Sequence, residues 1–253
     1  MNHFRTVSHL IIDDARFKYE TVRNLKGRAR IVLIQSLVYP GFTTLDLIGA
    51  LQPLSQIPNS NTEIVAERKG ACASDCGAAI MAGATYETAS AEPDVLLVPG
   101  AGTPSIDILD DDRTMDFLAQ RGSRATWIVA VCTGSLLLGK AGLLDGYKAA
   151  SHWAVIDTLE VFGAIPVHER VVIDRNRCTG GGVTAGVDIG LTVAGMIAGA
   201  DTARLIELII EYNPAPPFGC GHPTIADAET LKRARALTDA MLPVDRISRI
   251  ASA

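Results

Sequence analysis

The chain has 253 residues, of which 48% are apolar, and it carries a net charge of −5 and five cysteines. This length favours one large α/β domain, and the apolar fraction is ample for a sizeable core. The acidic balance, with no block of basic residues, argues against a nucleic-acid-binding protein. An odd number of scattered cysteines is not a disulfide framework and predicts a protein of the reducing cytoplasm.

The ends of the chain and one apolar stretch bear on domain organisation. Residues 1–29 are charged and weakly patterned, so we interpret them as an extension outside a domain that spans residues 30–253. Their apolar run is too short for a signal peptide. The long apolar stretch at 183–200 contains Asp188 and many small residues. It therefore predicts a helix buried inside the protein and not a membrane span.

The first half of the chain predicts buried strands that alternate with helices. Residues 30–39 form a nearly continuous apolar run, which is typical of a strand covered on both faces. A helix from Thr43 or Thr44 to about residue 56 follows and places Asp46 in its first turn. The next predicted elements are a strand at 62–66, a hairpin between 70 and 85, a strand at 94–98, a helix at 112–121 and a strand at 126–131.

The second half continues the alternation. A helix follows Cys132, and further elements are predicted as a helix at 153–162, a strand at 167–173, a long apolar helix opened by residues 179–182, and helices at 201–212 and 224–242. This order indicates a mainly parallel sheet with helices on both faces. In such sheets ligands bind beyond the carboxyl ends of the strands, where Cys132 and the loop 99–102 fall.

Cys132 stands where a buried strand turns sharply into a helix. Small residues flank it at two positions, Ala130 and Gly134, as in the tight nucleophile turn of hydrolases. The N-terminus of the following helix would favour the thiolate. The alternative is a small buried residue that only packs, because free cysteine is among the most buried residue types.

A reactive cysteine needs a proton-handling partner and a donor for developing charge. Asp46 can reach the same rim, although a favourable charge at a helix N-terminus explains it equally well. Thr133 can donate a hydroxyl, or it can simply cap its helix. For His152 a supporting role is favoured over a catalytic one, and Asp188 is interpreted as a structural hydrogen-bond hub, with His152 as a possible partner.

Two other patterns are set aside. The glycine-rich stretch 180–186 fits neither dinucleotide nor P-loop spacing. Cys72 and Cys76 have no second ligand pair nearby, so the sequence predicts no metal site.

Several segments, taken in order over residues 30–220, resemble the ThiJ/PfpI superfamily, which has the flavodoxin-like fold of the class I glutamine amidotransferases. They are Leu45-Asp46-Leu47 with Gly49, Pro99-Gly100, 131–135, 141–144, His152-Trp153, 163–171, 179–186 with Asp188, and 211–218. Within the superfamily the chain is most similar to the isonitrile hydratases.

This resemblance implies a specific chemistry. The cysteine attacks an isocyanide carbon to give a thioimidate, which water converts to an N-substituted formamide. The roles fall on Cys132 as nucleophile, Asp46 for the proton and Thr133 as hydrogen-bonding partner, while Gly100, Gly102 and Gly134 line the substrate site. No metal or organic cofactor is implied, the substrate is a small molecule, and related proteins form homodimers.

The chain also departs from its relatives. Proteases of the superfamily have histidine after the cysteine, where this chain has Thr133. The loop 99–102 carries an additional alanine, Ala101, beside the expected substrate site. A rival is a ligand-sensing, non-catalytic protein related to the N-terminal domain of AraC-type transcription regulators, although their DNA-binding domain is not found after Leu242.

Overall fold

The computed structural model describes residues 31–251, so the predicted extension at 1–29 lies outside the described residues. Eleven strands occur within this range. They are β1 (Val32–Leu37), β2 (Ser60–Ala66), β3 (Gly70–Ala73), β4 (Ala79–Ala82), β5 (Ala84–Thr85), β6 (Val95–Val98), β7 (Trp127–Val131), β8 (Lys148–Ala149), β9 (Ile165–Pro166), β10 (Val171–Asp174) and β11 (Arg177–Gly180).

Eight α-helices accompany these strands in the same range. They are α1 (Thr44–Leu54), α2 (Thr103–Asp107), α3 (Asp112–Gly122), α4 (Gly134–Lys140), α5 (Ala185–Ala198), α6 (Ala200–Ile209), α7 (Ala228–Met241) and α8 (Val244–Ala251), with short 3-10 helices at Ile108–Asp110 and Ile156–Phe162. No helix between residues 31 and 251 is long and apolar enough to cross a membrane.

Seven strands form the central sheet, in the order β10-β11-β7-β6-β1-β2-β5. Only β10 runs antiparallel to its neighbour; the other adjacent pairs are parallel. The predicted mainly parallel sheet with helices on both faces is therefore confirmed. The expected hairpin is present as β3 and β4, which pair with each other outside the main sheet.

The core explains why the central strands form. All four residues of β6, and Ile128 to Val131 of β7, are buried, as expected for strands covered on both faces. Helices α1 and α5 approach each other closely through small residues. A Cβ atom on Gly190 would lie 2.5 Å from the carbonyl oxygen of Ala50, so this contact fixes the position of α1, which carries Asp46.

Several boundaries predicted for the second half are wrong, and the helix predicted at 224–242 begins only at Ala228. Residues 179–182 do not open the long helix; Arg177–Gly180 is strand β11, and the helix begins at Ala185. The strand at 167–173 begins only at Val171, and the helix at 153–162 is a 3-10 helix from Ile156. Strand β11 could not be predicted because its sequence has no apolar pattern. It is buried in the fold, where it pairs with β7 on one side and β10 on the other.

Helices α2 and α8 were absent from the expected elements. α8 is short, but Ile247 and Ile250, three residues apart on one face, are both buried. Its ends are held to the body of the protein by Arg246, which pairs with Asp107, and by the backbone carbonyl of Ile250, which accepts from Lys140.

Candidate active site

Cys132 lies between the end of β7 and the start of α4, as the sequence predicts. Its φ angle is 58°, a left-handed conformation that is uncommon for a residue other than glycine. The N–H of Cys132 donates to the carbonyl of Gly181 over 2.9 Å, and its carbonyl accepts from the hydroxyls of Ser135 and Ser151. These bonds on both sides hold the sharp turn in place.

The glycines expected to line the substrate site prove to have different packing environments. A Cβ atom on Gly134 would overlap the carbonyl oxygen of Val98, and one on Gly100 would overlap the hydroxyl and backbone nitrogen of Thr133. Gly100 and Gly134 thus allow the loop 99–102 and α4 to meet beside Cys132. At Gly102 a Cβ atom would meet only Met241, at 3.8 Å.

Asp46 lies in the first turn of α1 and is fully buried. Its Oδ2 accepts a hydrogen bond from the backbone N–H of Gly100 over 2.9 Å, while Oδ1 has no hydrogen-bond partner among residues 31–251. Burial raises the pKa of this carboxyl to about 8, although the Gly100 N–H and the Cys132 thiol act in the opposite direction. A pKa of about 8 favours the protonated carboxyl at neutral pH, and a neutral carboxyl does not stabilise the helix N-terminus by charge.

The electrostatics of Cys132 differ from the prediction. Burial, followed by the proximity of Asp46, raises the pKa of the thiol well above its ordinary value. The N–H and hydroxyl of Thr133 lower the pKa, but their effect is smaller than the cost of desolvating a thiolate. The helix N-terminus consequently does not produce a resting thiolate. Cys132 is 6% exposed, so its burial fits both the reactive and the packing interpretation. The feature that Cys132 has in addition is a buried carboxyl, Asp46, which acts on the pKa of its thiol.

Thr133 connects the cysteine turn to the loop 99–102. Its hydroxyl donates to the carbonyl of Ala101 over 2.7 Å and accepts from the N–H of Ala101 over 2.9 Å. Thr133 stands at the N-cap of α4, but its side chain makes no capping bond within the described part of the chain, so the capping alternative is wrong. Ala101 is 3% exposed and is bonded through both of its backbone groups.

His152 and Asp188 are not brought together, which corrects the suggested link between them. Asp188 accepts from Arg170 at 2.7 Å and from the hydroxyl of Tyr212 at 2.8 Å. It is a hydrogen-bond hub, as expected, but its partners are Arg170 and Tyr212. His152 is half-buried beside Gly182, and burial lowers the pKa of its imidazole, which is therefore neutral at pH 7.

Tyr39 is a site residue that the sequence analysis missed. It follows the end of β1, is 2% exposed, and donates its hydroxyl to the carbonyl of Pro99 over 3.1 Å. Burial, together with the nearby Asp46 and Cys132, raises the pKa of Tyr39 well above its ordinary value, so the phenol is neutral. Its signal was available: a polar aromatic residue directly after a buried strand lies at the same rim as Asp46.

The sequence predicts no metal site at Cys72 and Cys76, and the structure can be searched for one elsewhere. Between residues 31 and 251 there is no group of three or more His, Cys, Asp or Glu side chains arranged to hold a metal ion. Cys72 and Cys76 are both free cysteines, the first buried and the second exposed.

Comparison with known proteins places this fold and site in context. The sequence profile of the DJ-1/PfpI family matches residues 31–196. An isonitrile hydratase from Pseudomonas putida is 41% identical over 199 residues, which cover 79% of this chain and 86% of the hydratase. The HTH-type transcriptional regulator GbdR of Pseudomonas aeruginosa is 31% identical over 70% of this chain, which spans only 49% of the regulator.

Solved structures agree with these sequence matches. The crystal structure of a ThiJ/PfpI family protein from Pseudomonas syringae is 40% identical and superposes with a TM-score of 0.85, covering 88% of this chain and 91% of that chain. Drosophila melanogaster DJ-1beta, at 20% identity, shares the fold with a TM-score of 0.64, over 73% of this chain and 100% of its own.

Proposed function

The chain belongs to the DJ-1/PfpI family, and we propose that within this family it is a cysteine-dependent hydratase that adds water to an isocyanide. The observation that carries the proposal is the buried carboxyl of Asp46, whose pKa is raised to about 8 and which acts on the pKa of the Cys132 thiol, at a cysteine with a left-handed backbone conformation. The identity of 41% to an isonitrile hydratase supports the same assignment.

The first step joins the sulfur of Cys132 to the terminal carbon of the isocyanide, R–N≡C. This carbon is both the electrophile and the atom that must gain a proton. Oδ2 of Asp46 already accepts from Gly100, so the proton of the acid belongs on the unpartnered Oδ1. Asp46 gives that proton to the carbon and takes up the thiol proton, which leaves the charge of the site unchanged and forms R–N=CH–S–Cys132.

The second step hydrolyses this thioimidate. Water forms a C–O bond to the thioimidate carbon, one of its protons goes to nitrogen, and the other returns to sulfur as the C–S bond breaks. The product is R–NH–CHO, and the thiol of Cys132 is restored. Asp46 is the acid–base group for these transfers because it is the carboxyl that acts on the pKa of the Cys132 thiol.

The burial of Cys132 favours an isocyanide over bulkier electrophiles. The residue is only 6% exposed, and Gly100 and Gly134 bring the loop 99–102 and α4 close beside it. An isocyano group is linear and narrow, so it reaches a nearly buried sulfur more readily than a planar carbonyl with two substituents. In this proposal Gly100, Gly102 and Gly134 line the substrate site.

The test is turnover of a simple aryl isocyanide, followed by chromatographic detection of the formamide. We expect Cys132→Ala to reduce the rate by at least about 10³-fold, because the covalent route is lost. Cys178→Ala is the matched control, since Cys178 is equally buried in the adjacent β11 and has no carboxyl acting on its pKa. Formation of formamide by Cys132→Ala at the wild-type rate would contradict the proposal.

A second candidate function is a ligand-sensing protein without catalysis. The identity of 31% to the regulator GbdR and the closed surroundings of Cys132 favour it. This function predicts that a bound small molecule raises the unfolding temperature while its concentration stays constant. The proposed hydratase consumes the isocyanide under the same conditions, so one experiment separates the two.

A further inference from the structure

The peptide group between Pro99 and Gly100 makes two hydrogen bonds, one through its carbonyl and one through its N–H. The carbonyl of Pro99 accepts from the hydroxyl of Tyr39 over 3.1 Å. The N–H of Gly100 donates to Oδ2 of Asp46 over 2.9 Å. The carbonyl and the N–H are the two ends of the same planar peptide unit, so neither can rotate without the other.

We propose that Tyr39 is a positioning residue, which holds the Pro99–Gly100 peptide so that its N–H keeps the Asp46 carboxyl in place beside Cys132. The inference concerns the geometry of the site, and it rests on the proposed function only for what the pair then does. Tyr39 does not act on the substrate itself. Its effect passes through a single peptide group to the acid–base residue.

The hydrogen-bonding requirements of the buried groups support this assignment. A buried tyrosine hydroxyl needs a partner, and at Tyr39 this partner is the peptide that binds Asp46. Donation to the carbonyl polarises the peptide and strengthens its N–H as a donor, by about 10–30% for linked hydrogen bonds. The Gly100 N–H lowers the pKa of Asp46, so a stronger donor lowers it further.

The loop 99–102 has a second attachment, so Tyr39 is not needed to hold the loop as a whole. Ala101, the residue after Gly100, is held through both backbone groups by the hydroxyl of Thr133. These bonds remain when the hydroxyl of Tyr39 is removed, so the loop stays attached to the cysteine turn. What changes is the orientation and donor strength of one peptide. Tyr39→Phe therefore isolates the proposed effect.

The sequence allows this peptide to be observed directly. A Pro-Gly pair occurs only twice in the chain, as Pro40-Gly41 and Pro99-Gly100. Labelling with ¹³C-carbonyl proline and ¹⁵N-glycine thus selects two amide signals in NMR spectra. The Gly41 N–H donates to the carbonyl of Ala73 and serves as the internal reference.

We expect the Gly100 amide shift in the wild type to titrate with Asp46, with a midpoint near pH 8, and the titration to vanish in Asp46→Asn. In Tyr39→Phe the midpoint rises by about half a pKa unit, because the N–H that stabilises the carboxylate is weakened. Tyr86→Phe removes another buried hydroxyl, which is bonded to Thr114, and leaves the midpoint unchanged. A midpoint in Tyr39→Phe equal to that of the wild type overturns the proposal.

A second labelling experiment covers the case in which Tyr39→Phe does not fold. Replacing the five tyrosines by 3-fluorotyrosine makes the hydroxyl of Tyr39 a stronger donor with almost no change of shape. The midpoint of the Gly100 amide titration then falls, and an unchanged midpoint contradicts the proposed role of Tyr39. For isocyanide turnover, Tyr39→Phe lowers kcat by about 3- to 10-fold with little change in KM. If the wild type shows no turnover, the proposed hydratase function fails, while the NMR result still decides the role of Tyr39.

Discussion

At the scale of single residues, the ionisation of Asp46 is the property that most affects the chemistry. A carboxyl in the first turn of a helix is normally ionised, because the positive end of the helix dipole favours the anion. Here desolvation exceeds that effect and raises the pKa to about 8. Desolvation thus raises the pKa of both neighbouring groups, the carboxyl of Asp46 and the thiol of Cys132.

This ionisation predicts a pH dependence of stability. The native carboxyl of Asp46 holds its proton up to about pH 8, whereas the unfolded one loses it near 3.8. The native state binds more protons in this window, so Asp46 contributes stability that is present below pH 4 and is lost as the pH rises to 8. The slope is at most about 1.4 kcal/mol per pH unit. Urea denaturation from pH 5 to pH 8 should show a shallower decline for Asp46→Asn, and parallel curves for the two proteins would contradict the assignment.

At the scale of elements, the site depends on three close approaches. Helix α5 fixes α1 through small residues, the loop 99–102 reaches Cys132 because Gly100 has no side chain, and α4 starts against the carbonyl of Val98. Each approach is a steric condition on backbone atoms. The geometry of the candidate site therefore depends on glycines as much as on the side chains of Cys132 and Asp46.

The start of α4 offers a direct test of these contacts. A Cβ atom on Gly134 would overlap the Val98 carbonyl, so Gly134→Ala should destabilise the protein by about 3 kcal/mol. Gly195→Ala is the matched control, because it adds the same methyl group within α5 at an ordinary distance of 3.4 Å from Ala203. Chemical denaturation measures both changes. Equal stability of the two variants would show that α4 can move away from β6 at little cost.

At the scale of the whole molecule, one helix leaves apolar side chains in water. Leu205, Leu208 and Ile209 share a face of α6 and are 58%, 78% and 62% exposed. Spacings of three and four residues place them side by side, and a contiguous apolar face on a folded domain commonly marks an interface. A self-complementary contact between two copies of α6 is consistent with the homodimer that the family resemblance implies.

The association state tests this surface. We expect light scattering coupled to size-exclusion chromatography to give the mass of a dimer, and Leu208→Asp to shift the population toward the monomer, because burying an unpaired charge is unfavourable. Glu207→Gln, on the same helix, provides a control that leaves the apolar face intact. A dimer that is unaffected by Leu208→Asp would place the interface elsewhere.

Local pattern in the sequence was sufficient for much of this structure. The continuous apolar runs predicted β1, β6 and β7, and the change from such a run to helix-forming residues located Cys132 at a strand–helix junction. The helix-start signals placed Asp46 correctly in the first turn of α1. These features are local, because periodicity and capping depend on residues that are neighbours in the chain.

Only the tertiary structure decided the rest, for a physical reason that these residues share. Strand β11 is polar in composition and is buried by its neighbours, and Asp188 bonds to Arg170 and not to His152. Tyr39 is linked to Asp46 through Pro99, which lies 60 residues further along the chain. The protonation of Asp46 arises from desolvation by segments that are distant in sequence. Burial and hydrogen-bond partners are properties of the assembled fold, so the pattern indicated which residues could react and the fold determined their charge and contacts.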